Sequence, residues 1–306
     1  MEGRTLTSGS TVTEKKKRYP PTKPVETTPR QMLAIKIGGS LFSDKSIEGS
    51  LDTAAIAEYA HLIADLHRKN PGHIVFITGG GALGHAALRG LDETDPFACL
   101  PLTEALAQVR WAWTQALIGQ GVRALPLQLG AMASLNQDGT FSVTADTIRH
   151  ALNHGVLPVL SGDSVLANDG ALHGLSSDRV PEFLVHALGL PLRIVSFTDV
   201  PGILLDGPNG EQTLKYVDPF QPEKAYNALW TNSEWDTTGG FRTKIDALIT
   251  CASSGAECFI LKGSTHHAHS RYLFSPHHQW PDDIRYTRIA PPQTETRETG
   301  HGERRQ

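Results

Sequence analysis

The chain has 306 residues, of which 39% are hydrophobic and 20% are charged, and its formal net charge at pH 7 is −4. This length and composition are typical of a globular protein with a large core, and the slight acidity argues against general nucleic-acid binding. Apolar stretches stay well short of the roughly 18 residues of a membrane span. The three cysteines form no CxxC pair, so we expect no zinc site or disulfide, but reduced thiols in the cytoplasm.

Two polar segments, residues 1–31 and 291–306, flank the remainder of the chain. Both are predicted to be disordered tails, because they hold too little apolar surface to join a core. The basic run 15–18 could be a localisation or nucleic-acid patch, although a solvated tail is the favoured interpretation. It lacks the apolar segment of a secretory signal. We therefore expect one folded domain over residues 32–290.

The beginning of this domain predicts two buried strands connected by a helix. The segments 32–37 and 73–78 are largely apolar and rich in β-branched residues, as in strands that are covered on both faces. Between them, 52–69 has apolar residues at helical spacing. The order strand, helix, strand predicts a right-handed parallel crossover.

Both predicted strands end in glycine. Gly38 and Gly39 follow the first strand, and Gly79-Gly80-Gly81 follows the second and precedes a predicted helix of small residues. Glycine permits close approach of the backbone to a ligand, and bare N–H groups attract anions. The spacing fits neither the dinucleotide fingerprint nor the Walker loop. Two such turns at the carboxyl ends of parallel strands nevertheless indicate a ligand site.

Two lysines stand where a cation is costly without an anion. Lys36 lies inside the first apolar run, and the alternative to phosphate binding there is an amine that reaches solvent at the strand end. Lys244 lies one turn into a helix that follows Gly239-Gly240, where the helix dipole disfavours a cation. Both positions therefore favour an anionic ligand.

The other elements follow from periodicity and turn signals. Further helices are predicted over 103–120, 144–154, 222–229 and up to about 253, and further strands over 156–160, 192–197 and 257–262, the last being taken as the final core strand. The segment 164–175 is a predicted hairpin, and 206–215 is a loop or hairpin. Thr103 and either Ser176 or Ser177 are expected to cap helices. Trp111 and Trp113 are expected in the core or at an interface.

Five histidines cluster near the end of the predicted domain, and their spacings match no helical pair of metal ligands. We interpret them as part of a solvated loop. They are His266, His267, His269, His277 and His278.

An ordered set of motifs resembles the amino acid kinase superfamily. They are IKIGGS (35–40), ITGGGALGH (77–85), LSGDSVL (160–166), SSD (176–178), FTDVPGI (197–203) and TTGGFRTK (237–244). The histidine of GGGALGH resembles the branch of isopentenyl phosphate kinases and fosfomycin kinases, whose acceptors already carry a phosphate or phosphonate. Within that branch, LAIKIGGSLFSDK, SSDRVPE and SEWDTTGGFRTKIDALITCA are most similar to fosfomycin kinases.

This resemblance implies a fold and a set of catalytic residues. The fold is an α/β three-layer sandwich with a mainly parallel central sheet, in which the N-terminal half binds the acceptor and the C-terminal half binds ATP. Lys36 would lie between donor and acceptor, Lys244 would hold the β- and γ-phosphates, and Asp178 would orient the lysines. Phosphoryl transfer needs mainly such positioning and charge neutralisation.

The resemblance also implies the binding residues. Expected ATP contacts come from Lys36, Gly38, Gly39, Ser40, Asp199, Gly202, Gly239 and Lys244. Expected acceptor contacts come from Lys45, Gly80, Gly81, His85, Ser176, Ser177 and Thr238. For His85 the alternative is a hydrogen bond to a carbonyl at the helix start, and for Lys45 it is a solvated surface position. The expected cofactors are ATP and Mg²⁺, with no residue predicted as a metal ligand, and the expected assembly is a homodimer.

The predicted reaction is ATP-dependent phosphorylation of the phosphonate of fosfomycin, which inactivates the antibiotic. Isopentenyl phosphate or another small phosphate or phosphonate is the alternative acceptor, although Ser176, Ser177 and Thr238 favour a small polar one. A sensor that binds nucleotide without catalysis is the alternative of another class. The joint presence of Lys36, Asp178 and Lys244 argues against it.

Overall fold

A computed structural model describes residues 31–44, 46–47, 49–92, 94–189, 191–207, 210–229, 240–263 and 267–292. Lys45, Thr238 and Gly239 lie outside these residues, as do His266 and nearly all of the two predicted tails. Among the helices so described, none is both long and apolar enough to cross a membrane.

A central sheet of eight strands organises the molecule. Its order is β10-β12-β11-β9-β1-β2-β6-β3, and two separate hairpins are formed by β4 with β5 and by β7 with β8. The strands are β1 Met32–Ile37, β2 Ile74–Thr78, β3 Ala124–Pro126, β4 Ala133–Leu135, β5 Phe141–Val143, β6 Leu157–Ser161, β7 Asp163–Leu166, β8 Leu172–Leu175, β9 Leu192–Thr198, β10 Tyr216–Val217, β11 Glu257–Lys262 and β12 Tyr286–Ile289. Pairing within the large sheet is parallel except between β11 and β12. The predicted mainly parallel sheet is therefore confirmed.

Helices cover both faces of the sheet and complete three layers. They are α1 Thr53–Lys69, α2 Gly81–Ala87, α3 Leu100–Gly119, α4 Asp146–Asn153, α5 Val180–Leu188, α6 Glu223–Ala228 and α7 Gly240–Ser253. One core contains side chains of α1 and α3, and the other contains side chains of α4, α5, α6 and α7. The predicted α/β three-layer architecture is thus observed.

The alternation of side chains along β1 decides which layer receives its lysine. Leu33, Ile35 and Ile37 belong to the core on the side of α1 and α3, whereas Ala34 belongs to the opposite core. Lys36 has the same parity as Ala34 and therefore points toward the layer of α5 and α7. This places its ammonium group among side chains from the second half of the chain.

Several local predictions need correction. Helix α3 begins at Leu100, and its N-cap Cys99 lies four residues before the expected cap Thr103; Pro101 in its first turn fits that start. Helix α5 begins at Val180, and Ser176 accepts a hydrogen bond from the backbone N–H of Asp178 rather than capping the helix. These serine and threonine patterns suit several turn types, so they do not fix a boundary.

The strands that sequence patterns missed are short or lie late in the chain. β3, β4, β5 and β10 have only two or three residues each, too few for a periodic signal. β12 follows β11, the strand predicted to be the final one of the core, and pairs antiparallel with it. Part of the predicted histidine loop forms short 3₁₀ helices, His267–Tyr272 and His277–Gln279.

Candidate active site

The two glycine turns lie side by side at the carboxyl edge of the sheet. β1 and β2 are neighbours, with Ile37 opposite Thr78, and the N–H of Gly79 donates to the carbonyl of Ile37 at 2.8 Å. A Cβ atom placed on Gly39 would lie 2.6 Å from the backbone nitrogen of Gly81. The backbones therefore touch directly, and a larger residue would separate the turns.

These turns leave several N–H groups for a ligand. Gly39 and Ser40 open a 3₁₀ turn, and Gly81 opens α2, so their N–H groups have no acceptor within their own helices. The N–H of Ala82 is different, because it donates to the hydroxyl of Ser43 at 2.9 Å. Oriented N–H groups in a concave turn favour an anion.

Asp178 lies between the two predicted lysines and binds both through one oxygen. Its Oδ1 accepts a hydrogen bond from Nζ of Lys36 and another from Nζ of Lys244 at 2.7 Å. The exposed fractions of the Lys36, Lys244 and Asp178 side chains are 4%, 9% and 13%. The structure thus brings the three predicted catalytic residues together from β1, α7 and the loop before α5.

Two buried ammonium groups with one carboxylate leave the site with excess positive charge. Burial lowers the pKa of Lys36 to about 7, because Asp178 compensates only part of its desolvation while Lys244 repels it. Burial also disfavours the charged form of Lys244, but Asp178 outweighs it and raises its pKa. For Asp178, burial is outweighed by Lys244 and Lys36 together, so its pKa lies well below the usual value. The carboxylate therefore stays ionised, and the site attracts an anion.

The other predicted binding residues lie on α2, directly before Asp178 and after β9. His85 lies on α2, half-buried, and Ser176 and Ser177 precede Asp178 directly. Asp199 follows β9 and accepts a hydrogen bond from the Thr198 hydroxyl at 2.8 Å. Its charge also contributes to the raised pKa of Lys244.

Close packing explains why position 202 is a glycine. Its φ is +150°, and a Cβ atom there would lie 2.5 Å from Oγ1 of Thr287 in β12. The same hydroxyl accepts a hydrogen bond from the N–H of Ile203 at 2.8 Å. The glycine therefore lets the loop after β9 pack on β12, whatever its relation to a nucleotide.

Arg110, a buried residue of α3, was not among the predicted site residues. Arg110 of α3 donates to Oγ of Ser161 at 2.6 Å and lies 3.8 Å from Oδ2 of Asp163. Between these two residues, a Cβ atom on Gly162 would lie 2.9 Å from the nitrogen of Ser177. This turn consequently supports the segment that carries Asp178. An arginine at helical spacing has no sequence signal for such a role.

Ligands of parallel α/β folds bind beyond the carboxyl ends of the strands. The paired glycine turns and the two lysines on one carboxylate lie at this edge, and their positive charge suits phosphate groups. The amino acid kinase family profile matches residues 31–262. The chain belongs to the amino acid kinase family.

Individual relatives agree with this assignment. Isopentenyl phosphate kinase from Haloferax volcanii is 28% identical over 71% of this chain and 87% of its own length. The enzyme of the same name from Methanothermobacter thermautotrophicus is 24% identical over 84% of this chain and 98% of its own. The structure of a T. acidophilum isopentenyl phosphate kinase product complex superposes with a TM-score of 0.62 at 20% identity, covering 85% of this chain and all of that one. The chain is a kinase of this fold.

Proposed function

We propose that this kinase transfers the γ-phosphoryl group of ATP to the phosphate group of a small organic molecule, with isopentenyl phosphate as the first candidate. The observation that carries the proposal is the position of Lys36 and Lys244, which share one oxygen of Asp178 beside two glycine turns. One turn would hold the transferred phosphoryl group and the other the acceptor anion. The N-terminal half, which contains both turns, would thus bind the acceptor, and the half with Asp199 and Lys244 would bind ATP.

The proposed reaction is a direct displacement at phosphorus. An acceptor phosphate oxygen forms a bond to the γ-phosphorus, the bond from that phosphorus to the β–γ bridging oxygen breaks, and ADP leaves. The acceptor oxygen is already ionised near neutral pH, so no general base is required. Lys36 would neutralise charge on the transferring group, Lys244 would hold the β- and γ-phosphates, and Asp178 would keep both ammonium groups in place.

A carboxylate near the ATP phosphates would suit Mg²⁺, because this ion prefers oxygen ligands and retains several waters. Both lysines engage Asp178, whereas Asp199 is exposed and bonded only by Thr198 among the described contacts. Asp199 would therefore hold the ion, directly or through water, together with the ATP phosphates. Bound Mg²⁺ would offset the negative charge of those phosphates.

An apolar rim supports an acceptor with a hydrocarbon part. We define this rim as Leu88, Phe97 and Leu100, whose exposed fractions are 46%, 48% and 54%. Leu88 follows α2 three residues beyond His85, Phe97 lies in the connection to α3, and Leu100 is the first residue of α3. Exposed apolar side chains so near to His85 and α2 in the sequence would contact the hydrocarbon part of such an acceptor. They favour isopentenyl phosphate over the fosfomycin acceptor that the sequence favours.

Fosfomycin remains the second candidate because of the serines beside Asp178. Ser176 is exposed and Ser177 half-buried, and hydroxyl groups at this position suit a small polar phosphonate. The relatives described above support a phosphate acceptor more directly. His85 would donate a hydrogen bond to the acceptor anion in either case, and Lys45 and Thr238 lie outside the described residues.

Assays with ATP, Mg²⁺ and each acceptor, followed by ³¹P NMR of the products, distinguish these candidates. A coupled P–O–P pair formed from isopentenyl phosphate supports the first acceptor, and one formed from fosfomycin supports the second. No product from either acceptor would contradict the proposal in both forms. Saturable ATP binding without product would then favour the sensor.

A substitution at Lys36 tests the catalytic assignment itself. We expect Lys36→Met to lower kcat at least about 100-fold, because it removes the positive charge that would neutralise the transferring phosphoryl group. ATP binding by calorimetry should remain within several-fold, since Lys244 persists. Lys224→Met, at an exposed position on α6, is the control and should behave as the wild type. Unchanged turnover in Lys36→Met would refute the role of Lys36.

A further inference from the structure

One hydroxyl group connects the two glycine turns. Ser43 lies after the 3₁₀ turn Gly39–Leu41, and its side chain is buried. Its Oγ donates to the carbonyl of Gly39 at 2.9 Å and accepts from the N–H of Ala82, also at 2.9 Å. The hydroxyl therefore uses its donor and its acceptor capacity on two different turns.

The surrounding contacts show why this bridge is specific. A Cβ atom on Gly81, whose φ is +57°, would lie 2.6 Å from Oγ of Ser43 and 3.2 Å from the ring of Phe42. The close approach of Gly39 to Gly79 and Gly81 sets the shortest possible separation of the turns. Steric contact cannot prevent the turns from moving apart. The hydrogen bonds of Ser43 supply attraction beyond the last strand bond, from Gly79 to Ile37.

We propose that Ser43 is a positioning residue for phosphoryl transfer, and this inference rests on the proposed function. Its hydroxyl sets the separation between the turn that holds the transferred phosphoryl group and the turn that holds the acceptor anion. That separation fixes the distance from the acceptor oxygen to the γ-phosphorus. Reactions between two bound groups are sensitive to such distances, and a misplacement of about 1 Å can cost about 100-fold in rate.

The experiment compares Ser43→Ala and Ser43→Thr with Ser50→Ala. Ser50 lies in the same loop, and its hydroxyl accepts a hydrogen bond from the backbone N–H of Asp44 at 3.3 Å; among the described residues no hydrogen bond connects it to either turn. In single-turnover reactions with the acceptor that the wild type phosphorylates, we expect Ser43→Ala to slow transfer about 10- to 100-fold. Its KM for ATP should stay within about twofold, because the distance between the substrates matters only when transfer occurs. Ser43→Thr retains the hydroxyl and should recover most of the rate.

Three results would overturn the inference. Transfer in Ser43→Ala within about twofold of Ser50→Ala would show that the bridge does not govern the reaction. Equal losses in the Ala and Thr variants would show that the hydroxyl is not the relevant group. Failure of Ser43→Ala to fold, seen in its thermal unfolding against that of Ser50→Ala, would make the residue a determinant of folding instead.

Hydrogen exchange separates this inference from the proposed function, since it needs no acceptor. The amide of Ala82 should exchange at least about 10-fold faster in Ser43→Ala than in Ser50→Ala, because it loses its acceptor. Faster exchange in a protein whose wild type phosphorylates neither acceptor would refute the proposed function and leave the bridge intact. Equal exchange rates would refute the bridge, whatever the activity.

Discussion

At the residue scale, the shared oxygen of Asp178 is the main feature of the site. Removing one partner from a buried ion pair typically costs about 3–5 kcal/mol, because the remaining charge is left uncompensated. Here one carboxylate faces two ammonium groups, from Lys36 and Lys244, so the ligand-free site already contains an excess charge. The phosphates of ATP would supply the missing negative charge. Nucleotide binding would thereby reduce the repulsion between the two ammonium groups.

The lowered pKa of Lys36 predicts a pH dependence. With a pKa of about 7 in the free protein, the ammonium group is charged below that pH and neutral above it. We expect kcat/KM for ATP to fall above about pH 7, approaching tenfold per pH unit, because this parameter reports groups of the free enzyme. Initial rates between pH 5.5 and 9.5 provide the measurement. A plateau that extends to pH 9 would show that Lys36 remains charged without nucleotide.

The catalytic residues could be predicted from the sequence to a large extent. Lys36 and Lys244 stand where a cation is costly without an anion, and Asp178 belongs to the motif set that resembles the family. The structure brings all three together; their roles stay predictions. Ser43 and Arg110 could not be found in this way, because their partners are backbone and side-chain atoms that only the folded chain brings near.

At the element scale, the contact between the glycine turns predicts a strong effect at Gly39. A methyl group there would meet the backbone of Gly81, which cannot yield as a flexible side chain would. We expect Gly39→Ala to lower kcat/KM at least about 100-fold, because the two anion-binding turns are forced apart. Steady-state kinetics with both substrates test this expectation.

Gly119→Ala is the matched control for that change. Gly119 is the last residue of α3, and a Cβ atom on it meets nothing within 4 Å. Activity should be unchanged, and stability unchanged or raised by up to about 1 kcal/mol. Wild-type activity in Gly39→Ala would mean that the turns can separate without consequence.

The C-terminal segment is attached to the sheet by a partly buried ion network. Glu257 of β11 accepts hydrogen bonds from Arg193 of β9 at 2.8 Å and from Arg288 of β12 at 2.8 Å. Arg193 also donates to the carbonyls of Leu273 and Ser275, at 2.7 Å each. Sequence patterns did not reveal β12, because a strand of four residues gives little periodic signal and is recognised by its pairing with β11.

Replacing the carboxylate of Glu257 should destabilise the fold. Glu257→Gln leaves Arg193 and Arg288 without their anion, so we expect a loss of about 3 kcal/mol in the free energy of unfolding, measured by urea denaturation. Asp65→Asn breaks an ion pair with Arg68 in which both side chains are about half exposed, and it should cost less than about 1 kcal/mol. Equal stability of the two variants would argue against the network.

At the scale of the whole molecule, an exposed apolar face lies at one edge of the sheet. Trp111 and Ile118 of α3 are 53% and 52% exposed, and Leu125 of the edge strand β3 is 38% exposed. Trp113, by contrast, is fully buried in the core, whereas an interface position for Trp111 stays a prediction. The homodimer that the family resemblance implies would cover this face.

A charge on this face should separate such a dimer. We expect light scattering to give the mass of two chains for the wild type and of one chain for Trp111→Asp, because the substitution buries an unpaired carboxylate in the interface. Phe220→Asp is the control, since Phe220 is 63% exposed outside α3 and β3. Unequal masses of wild type and Phe220→Asp, or a two-chain mass for Trp111→Asp, would contradict the assignment of this face.

The strand order has a consequence for how such proteins can diverge. β1, β2, β6 and β3 come from the first part of the chain, whereas β9, β11, β12 and β10 come from the second, and the two sets meet only where β1 pairs with β9. Strand pairing on one side can therefore change without altering the pairing on the other, whereas both hydrophobic cores contain side chains from the two parts. If the first part binds the acceptor and the second binds the nucleotide, as proposed, the acceptor can change during evolution while strand pairing on the nucleotide side is kept. Asp178 lies just before α5, the helix that leads into β9, and therefore at the junction between the two parts of the chain.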